Sequence, residues 1–157
     1  MTPRVNVFEK GQRAIKAMSG FAAYLAKSEV EKSLFHLIHF RVSQINGCAF
    51  CLDMHSKDLL AEGESVQRLL VLNAWRETSF YSNRERAALA WAEALTTLNH
   101  ADINDALYEE MRSQFSEEEL IDVTFAIIAI NNYNRLNIAF PNPAAVGTYT
   151  PGQFATN

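Results

Sequence analysis

The stretch SQINGCAFCLDMHSKDLLAEG, residues 43–63, decides how this chain folds. Asn46-Gly47 interrupts one helix-forming run, and a second can start at Gly47 or Cys48 and continue to Glu62, with Gly63 in the position that closes a helix. Both cysteines then sit in its first turn. At about 100° per residue, Cys51 lies about 300° and His55 about 340° around the axis from Cys48, so the three side chains share one face. Cys51 and His55 are also an i, i+4 pair, the spacing at which an imidazole can reach a thiol. Unsatisfied N–H groups and the positive end of the helix dipole favour a thiolate at a helix start, and the thiolate is the nucleophilic form.

Working outward, the same helical period runs through nearly the whole chain. Ile15, Met18, Ala22 and Leu25 mark one face of a helix that stops near Lys27-Ser28. Ser28 with Glu31 reads as a capping box, opening a helix to about Gln44 whose apolar stripe is Val30, Leu34, Leu37 and Ile38. After the cysteine helix come a segment from about Ser65 to Trp75, a helix capped by Ser82 and Glu85 that runs through Leu98, and another from Asp102 to about Phe115. Ser116 with Glu119 opens the last long helix, with Leu120, Val123, Ile127 and Ile130 at helical spacing until Pro141-Asn142-Pro143 forbids continuation. Only Phe125–Ile130 offers a run that could be a buried strand, and its long capped context favours helix. The expectation is an all-α helical bundle of about six to seven helices. Residues 1–143 form a single domain, and an irregular tail, 144–157, lies against a neighbouring subunit or stays loose.

Composition agrees with an ordinary globular core. The chain has 157 residues, 48% of them hydrophobic and 20% charged, with 14 Lys+Arg against 18 Asp+Glu for a net charge of −4. A chain of this size buries roughly 68–70% of its unfolded surface, so it needs no covalent staple. A mild acidic excess without a basic cluster argues against nucleic acid and anionic membrane as partners. The N-terminal residues lack the apolar run of a signal peptide, and no later stretch reaches about 18 apolar residues, so a soluble, cytoplasmic protein is expected.

In a reducing cytosol, two cysteines spaced as Cys48 and Cys51 point to chemistry more than to a structural staple. Cβ atoms at i, i+3 start about 5–6 Å apart, against about 3.5–4.5 Å in a relaxed disulfide, which suits a bond that opens readily. Other readings stand beside this one. The pair could be inert buried thiols, or Cys48, Cys51 and His55 with His36 or His39 could hold zinc. A thioredoxin scaffold does not fit, because that motif needs strands around it. Glu93 either reaches the thiol pocket or pairs with an arginine, while Trp75, Phe80 and Tyr81 read as packing. Phe35, Phe40 and Phe50 around the cysteines favour an apolar substrate.

Residues 41–55, RVSQINGCAFCLDMH, closely resemble the signature of the carboxymuconolactone decarboxylase and alkylhydroperoxidase D-like family. The likeness extends more loosely through Gly63, residues 73–77 and residues 84–94. It implies an all-α fold, assembly into trimers or hexamers, and thiol-dependent reduction of peroxides in the CxxC branch. It further implies that Cys51 attacks the peroxide, Cys48 resolves the product to a disulfide, and His55 relays protons. The family pattern has a glutamate twelve residues before the first cysteine, where this chain has His36, and a histidine where it has Phe50. A protonated His36 would add positive charge near the thiols, so His36 is expected to lower the cysteine pKa. No GxGxxG fingerprint is present, so no cofactor is expected and electrons would come from an external thiol or dithiol protein. Decarboxylation of a muconolactone-type acid and a non-catalytic redox-sensing oligomer are the alternatives.

Overall fold

The computed structural model describes residues 4–153 and is all-helical over them. Eight α-helices follow in chain order: α1 Val7–Lys10, α2 Gln12–Leu25, α3 Lys32–Asn46, α4 Ala49–Ala61, α5 Val66–Val71, α6 Asn83–Thr97, α7 Asp105–Gln114 and α8 Glu117–Ala139. Single-turn α1 escapes a periodicity reading because four residues carry no repeat; the side chain of Asn6 caps it. Two 3₁₀ segments, Leu72–Glu77 and Pro143–Ala145, complete the set.

The capping signals explain most boundaries. Ser82 Oγ accepts from the Glu85 amide at 3.2 Å while Glu85 accepts from the Ser82 amide at 2.7 Å, a complete capping box at the start of α6. Ser116 and Glu119 do the same for α8, at 3.1 and 2.8 Å. Gly47 closes α3 in the left-handed region at φ 69°, a conformation that costs glycine nothing and reverses the chain into the cysteines.

Four expectations change. Ser28 and Glu31 form no capping box: α3 begins at Lys32 without a side-chain cap, because the Ser28 hydroxyl is drawn to Asp122 on α8 and Glu31 to Arg84. The 65–75 segment is helical only to Val71 and tightens into the 3₁₀ turn beyond. Helix α7 starts at Asp105, capped by Asn104, rather than at Asp102. The tail, as far as it is described, is tied down to α4 of its own chain: Lys57 Nζ donates to the carbonyls of Gly147 and Tyr149 at 3.1 Å, and the Gly147 amide donates to Asp53 at 2.9 Å. Residues 154–157 lie outside the described part.

Helix α3 is the central element, packed against α4, α6 and α8. Its Ile38 and Val42 meet Ala88 and Ala92 of α6 and Val123 and Ile127 of α8 in the larger core, where the small alanines let the backbones approach. Its Leu37 and Phe40 join Leu59, Leu72, Trp75 and Leu89 in a second cluster. Burying such side chains contributes about 1.5–3 kcal/mol each. A buried polar network pins the end of α3: Asn46 donates to Asn131 at 3.0 Å and Asn134 at 2.9 Å, Asn134 donates to Ser43 at 3.1 Å, and Asn131 donates to Thr96 at 3.1 Å. Buried amides are costly without partners, so this network fixes the turn that precedes Cys48. Among the described residues no helix is long and apolar enough to cross a membrane.

Glu93 resolves to its arginine reading. It accepts from Arg41 Nε at 2.8 Å and Trp75 Nε1 at 2.9 Å and pairs with Arg76, and these donors hold its carboxyl below the usual range against the opposing effect of burial. It anchors α3 to α6 and the 3₁₀ turn and does not reach the thiols. The packing reading of Trp75 and Tyr81 agrees with their burial, whereas Phe80 is exposed.

Candidate active site

Cys48 is the N-cap of α4 and Cys51 lies in its first turn. The two are joined as a disulfide, with Cα atoms 5.4 Å apart and both side chains at most 1% exposed. Of the two cysteines, only Cys51 lines the large cavity, of roughly 740 Å³; Cys48 sits behind it in the core. Phe50, Met54, Ile130 and Tyr133 supply apolar walls. The stripe Ile15, Ala22 and Leu25 of α2 also faces this cavity, with only Leu25 buried, so a face that reads as core in the sequence is a site wall.

Asn137 on α8 donates its amide N–H to Cys51 Sγ at 3.4 Å. Nothing in the sequence marks it, since it lies 86 residues from Cys51. A donor aimed at this sulfur stabilises it more as thiolate than as thiol. Asn137→Leu is therefore expected to raise the Cys51 thiol pKa in the reduced protein and to slow its alkylation by iodoacetamide near pH 7 by about tenfold, the equivalent of about 1.4 kcal/mol. An alkylation rate and thiolate absorbance titration matching wild type would contradict this.

The structure brings three histidines together. The His55 ring lies 5.0 Å from that of His39 and 5.9 Å from that of His36, and the His36 and His39 rings are 6.5 Å apart. His39, named from the sequence only as an alternative zinc ligand, thus belongs to the cluster. Neither nitrogen of His55 has a hydrogen-bond partner, so the i, i+4 bond to Cys51 is not made in this disulfide form. His36 Nδ1 and His39 Nε2 are likewise buried and unpartnered. His36 faces Asp58, its Nδ1 3.8 Å from Oδ2. Asp58 in turn accepts from the Tyr149 hydroxyl at 2.6 Å. Burial, with a smaller contribution from that hydrogen bond, pushes the Tyr149 phenol up to about 12, so it remains a donor.

Electrostatics corrects the expected role of His36. Burial pushes its pKa down, outweighing the attraction of Glu62 and Asp58. Burial also holds His55 well below 6.5, and burial with the neighbouring His36 pushes His39 down to about 3. All three are neutral at physiological pH, so His36 offers a proton acceptor near the thiols instead of a positive charge. As for metal, Cys48 and Cys51 cannot act as thiolate ligands while bonded to each other. His36, His55 and Asp58 do place donor atoms within 4.8 Å of one another.

An all-helical bundle with a CxxC disulfide at a helix N-terminus, one sulfur facing an apolar cavity beside histidines, defines a protein of the alkylhydroperoxidase D-like class. The chain belongs to the carboxymuconolactone decarboxylase family, whose model matches residues 10–94. It is 40% identical to the uncharacterized protein YdfG of Bacillus subtilis over 145 residues, 92% of this chain and 99% of that one. Among solved structures it resembles ATU0492 of Agrobacterium tumefaciens, a protein of unknown function with a suggested role in antioxidant defence as AhpD. That match has a TM-score of 0.83 and 39% identity over 88% of this chain and 95% of the other. The debrominase Bmp8 shares the fold, with a TM-score of 0.74 and 23% identity over 87% of this chain and 75% of that one.

Proposed function

We propose that this protein is a thiol peroxidase that reduces organic hydroperoxides through Cys51 and Cys48. The observation that carries this reading is the asymmetry of the pair: Cys51 faces the cavity and Cys48 lies behind it within bonding distance. In the reduced protein the Cys51 thiolate attacks the outer peroxide oxygen, the O–O bond breaks, and the alkoxide leaves as alcohol after taking a proton. Cys51 is then a sulfenic acid. The Cys48 thiol displaces its hydroxyl as water and closes the disulfide. An external thiol or dithiol protein returns two electrons by exchange.

His55 is the proton relay: neutral, one helical turn from Cys51 and lining the same cavity, it can take the thiol proton and deliver one to the leaving oxygen. His36 lies beside both His55 and Asp58, so Asp58 supplies within the same cluster the carboxylate that the family pattern places at position 36. The apolar walls favour an organic hydroperoxide over hydrogen peroxide. Ile121, Phe125 and Ile128, exposed on one face of α8, support assembly into a trimer or hexamer.

Steady-state consumption of cumene hydroperoxide and hydrogen peroxide, with dithiothreitol as donor, tests the reading. The expected result is turnover of both, with the larger kcat/KM for cumene hydroperoxide. Loss of two hydrogens per chain without turnover would mark a sensor instead.

A further inference from the structure

We propose that His36, His55 and Asp58 form a binding site for a divalent transition-metal ion of the zinc class, separate from the thiols. Two imidazoles and a carboxylate are the donor set that zinc takes in open, three-ligand protein sites. Their donor atoms lie within 4.8 Å of one another. A tetrahedral centre with bonds of about 2.0–2.1 Å holds its ligand atoms about 3.4 Å apart, so side-chain rotation of roughly an ångström closes the set. His36 Nδ1 and Asp58 Oδ2, at 3.8 Å, are too far apart for a hydrogen bond but near the separation of two ligands on one ion.

Three further observations point the same way. His36 Nδ1 and both nitrogens of His55 are buried with no hydrogen-bond partner, although buried polar atoms are ordinarily satisfied. The carboxylate is already oriented: Asp58 Oδ1 accepts from the Tyr149 hydroxyl at 2.6 Å and the Gly152 amide at 3.4 Å, while Oδ2 turns toward His36. Outer partners of this kind are what fix ligating carboxylates. His55 and Asp58 are i, i+3 on α4 and His36 comes from α3, so ligation spans two packed helices. The cavity touches all three residues and provides the entry path. Lys32, which also lines the cavity, pairs with Glu62 at 2.7 Å.

The sequence suggests a different zinc set, built on Cys48 and Cys51. Here no sulfur takes part, so the oxidised protein keeps the site. Binding does not depend on the peroxidase reading; one consequence does, namely that an ion on His55 competes with proton relay and slows thiol turnover.

The test uses the full chain with Cys48→Ser and Cys51→Ser, so that no thiolate can ligate, titrated with zinc chloride or cobalt chloride in the absence of peroxide and reductant. One ion per chain is expected, with cobalt showing tetrahedral visible bands. In that background His36→Gln or Asp58→Asn should weaken binding by at least about a hundredfold and Tyr149→Phe by about tenfold. Binding that is absent, or unchanged in both ligand variants, overturns the proposal. Should those variants misfold, zinc-induced shifts of the His36 and His55 imidazole resonances support it, and shifts at His100 alone, or none, overturn it. Because no peroxide is present, a negative result leaves the peroxidase reading standing, and a failed peroxidase assay leaves this one standing.

Discussion

Cys51→Ser is expected to reduce hydroperoxide consumption to the uncatalysed background, a loss of at least about 10³-fold. Serine keeps the size of the side chain but has an alkoxide far too basic to form at neutral pH, so the nucleophile disappears while the fold stays. Cys51 is fully buried in a well-packed helix start, and the exchange of sulfur for oxygen leaves no sizeable cavity there. Cys48→Ser has a different signature. The first peroxide is still reduced, since the sulfur facing the cavity is intact, but the sulfenic acid cannot close to a disulfide. Dimedone should therefore label Cys51 in the Cys48→Ser protein after one equivalent of hydroperoxide, and label little in wild type. If Cys51→Ser retained turnover and Cys48→Ser lost its first reaction, the roles would be reversed. Activity in both variants would mean that the reaction is not a thiol reaction at all.

The second large effect is on stability in acid. His36, His39 and His55 all have native pKa values below 6.5, because burial disfavours the imidazolium, and His39 is pushed down to about 3. In the unfolded chain each takes a proton near pH 6.5, whereas the native state does not until its lower value is reached. The unfolded state thus binds more protons through that window, and unfolding becomes easier as pH falls from about 6.5 toward about 3. A histidine with a native pKa of about 3 loses about 2 kcal/mol of stability between about pH 7 and about pH 5 by this linkage. The depressed carboxyls of Glu93, Asp53 and Glu119 act in the same direction but lower, as they protonate below their unfolded values. Urea unfolding with a chelator present should show a clearly lower midpoint at about pH 5 than at about pH 7. The difference should shrink in His39→Leu, which removes one titrating group that faces His36, His55 and the Ala126 backbone. A midpoint independent of pH over this range would show that the cluster is not buried as described.

Much of the fold is legible in local sequence because local groups determine it. Ser82 with Glu85 and Ser116 with Glu119 satisfy each other within one turn, and Gly47 is needed where the chain passes through a positive φ. The Ser28–Glu31 pair carries the same local signal and fails, because Asp122, 94 residues away, competes for the serine hydroxyl. The site divides along the same line. Cys48, Cys51 and His55 lie on one helix and can be found from spacing alone. Asn137 and the pairing of His36 with Asp58 depend on how α8 and α3 lie against α4, and no periodicity encodes that. The tail reads as irregular from its glycines and prolines, and Asp53, Lys57 and Asp58 on α4 supply polar anchors along its path that no local signal announces. Charge is the subtlest case: a histidine at position 36 promises a cation until its burial is known.

The most direct measurement is a single turnover with no electron donor present. Fully reduced protein is mixed anaerobically with one equivalent of cumene hydroperoxide per chain, and alcohol and free thiols are quantified. The predicted result is one alcohol formed and two thiols lost per chain, with the disulfide mapped to Cys48 and Cys51. Unchanged thiols beside intact hydroperoxide, or alcohol formed without thiol loss, would contradict the assignment of this pair as the reacting centre.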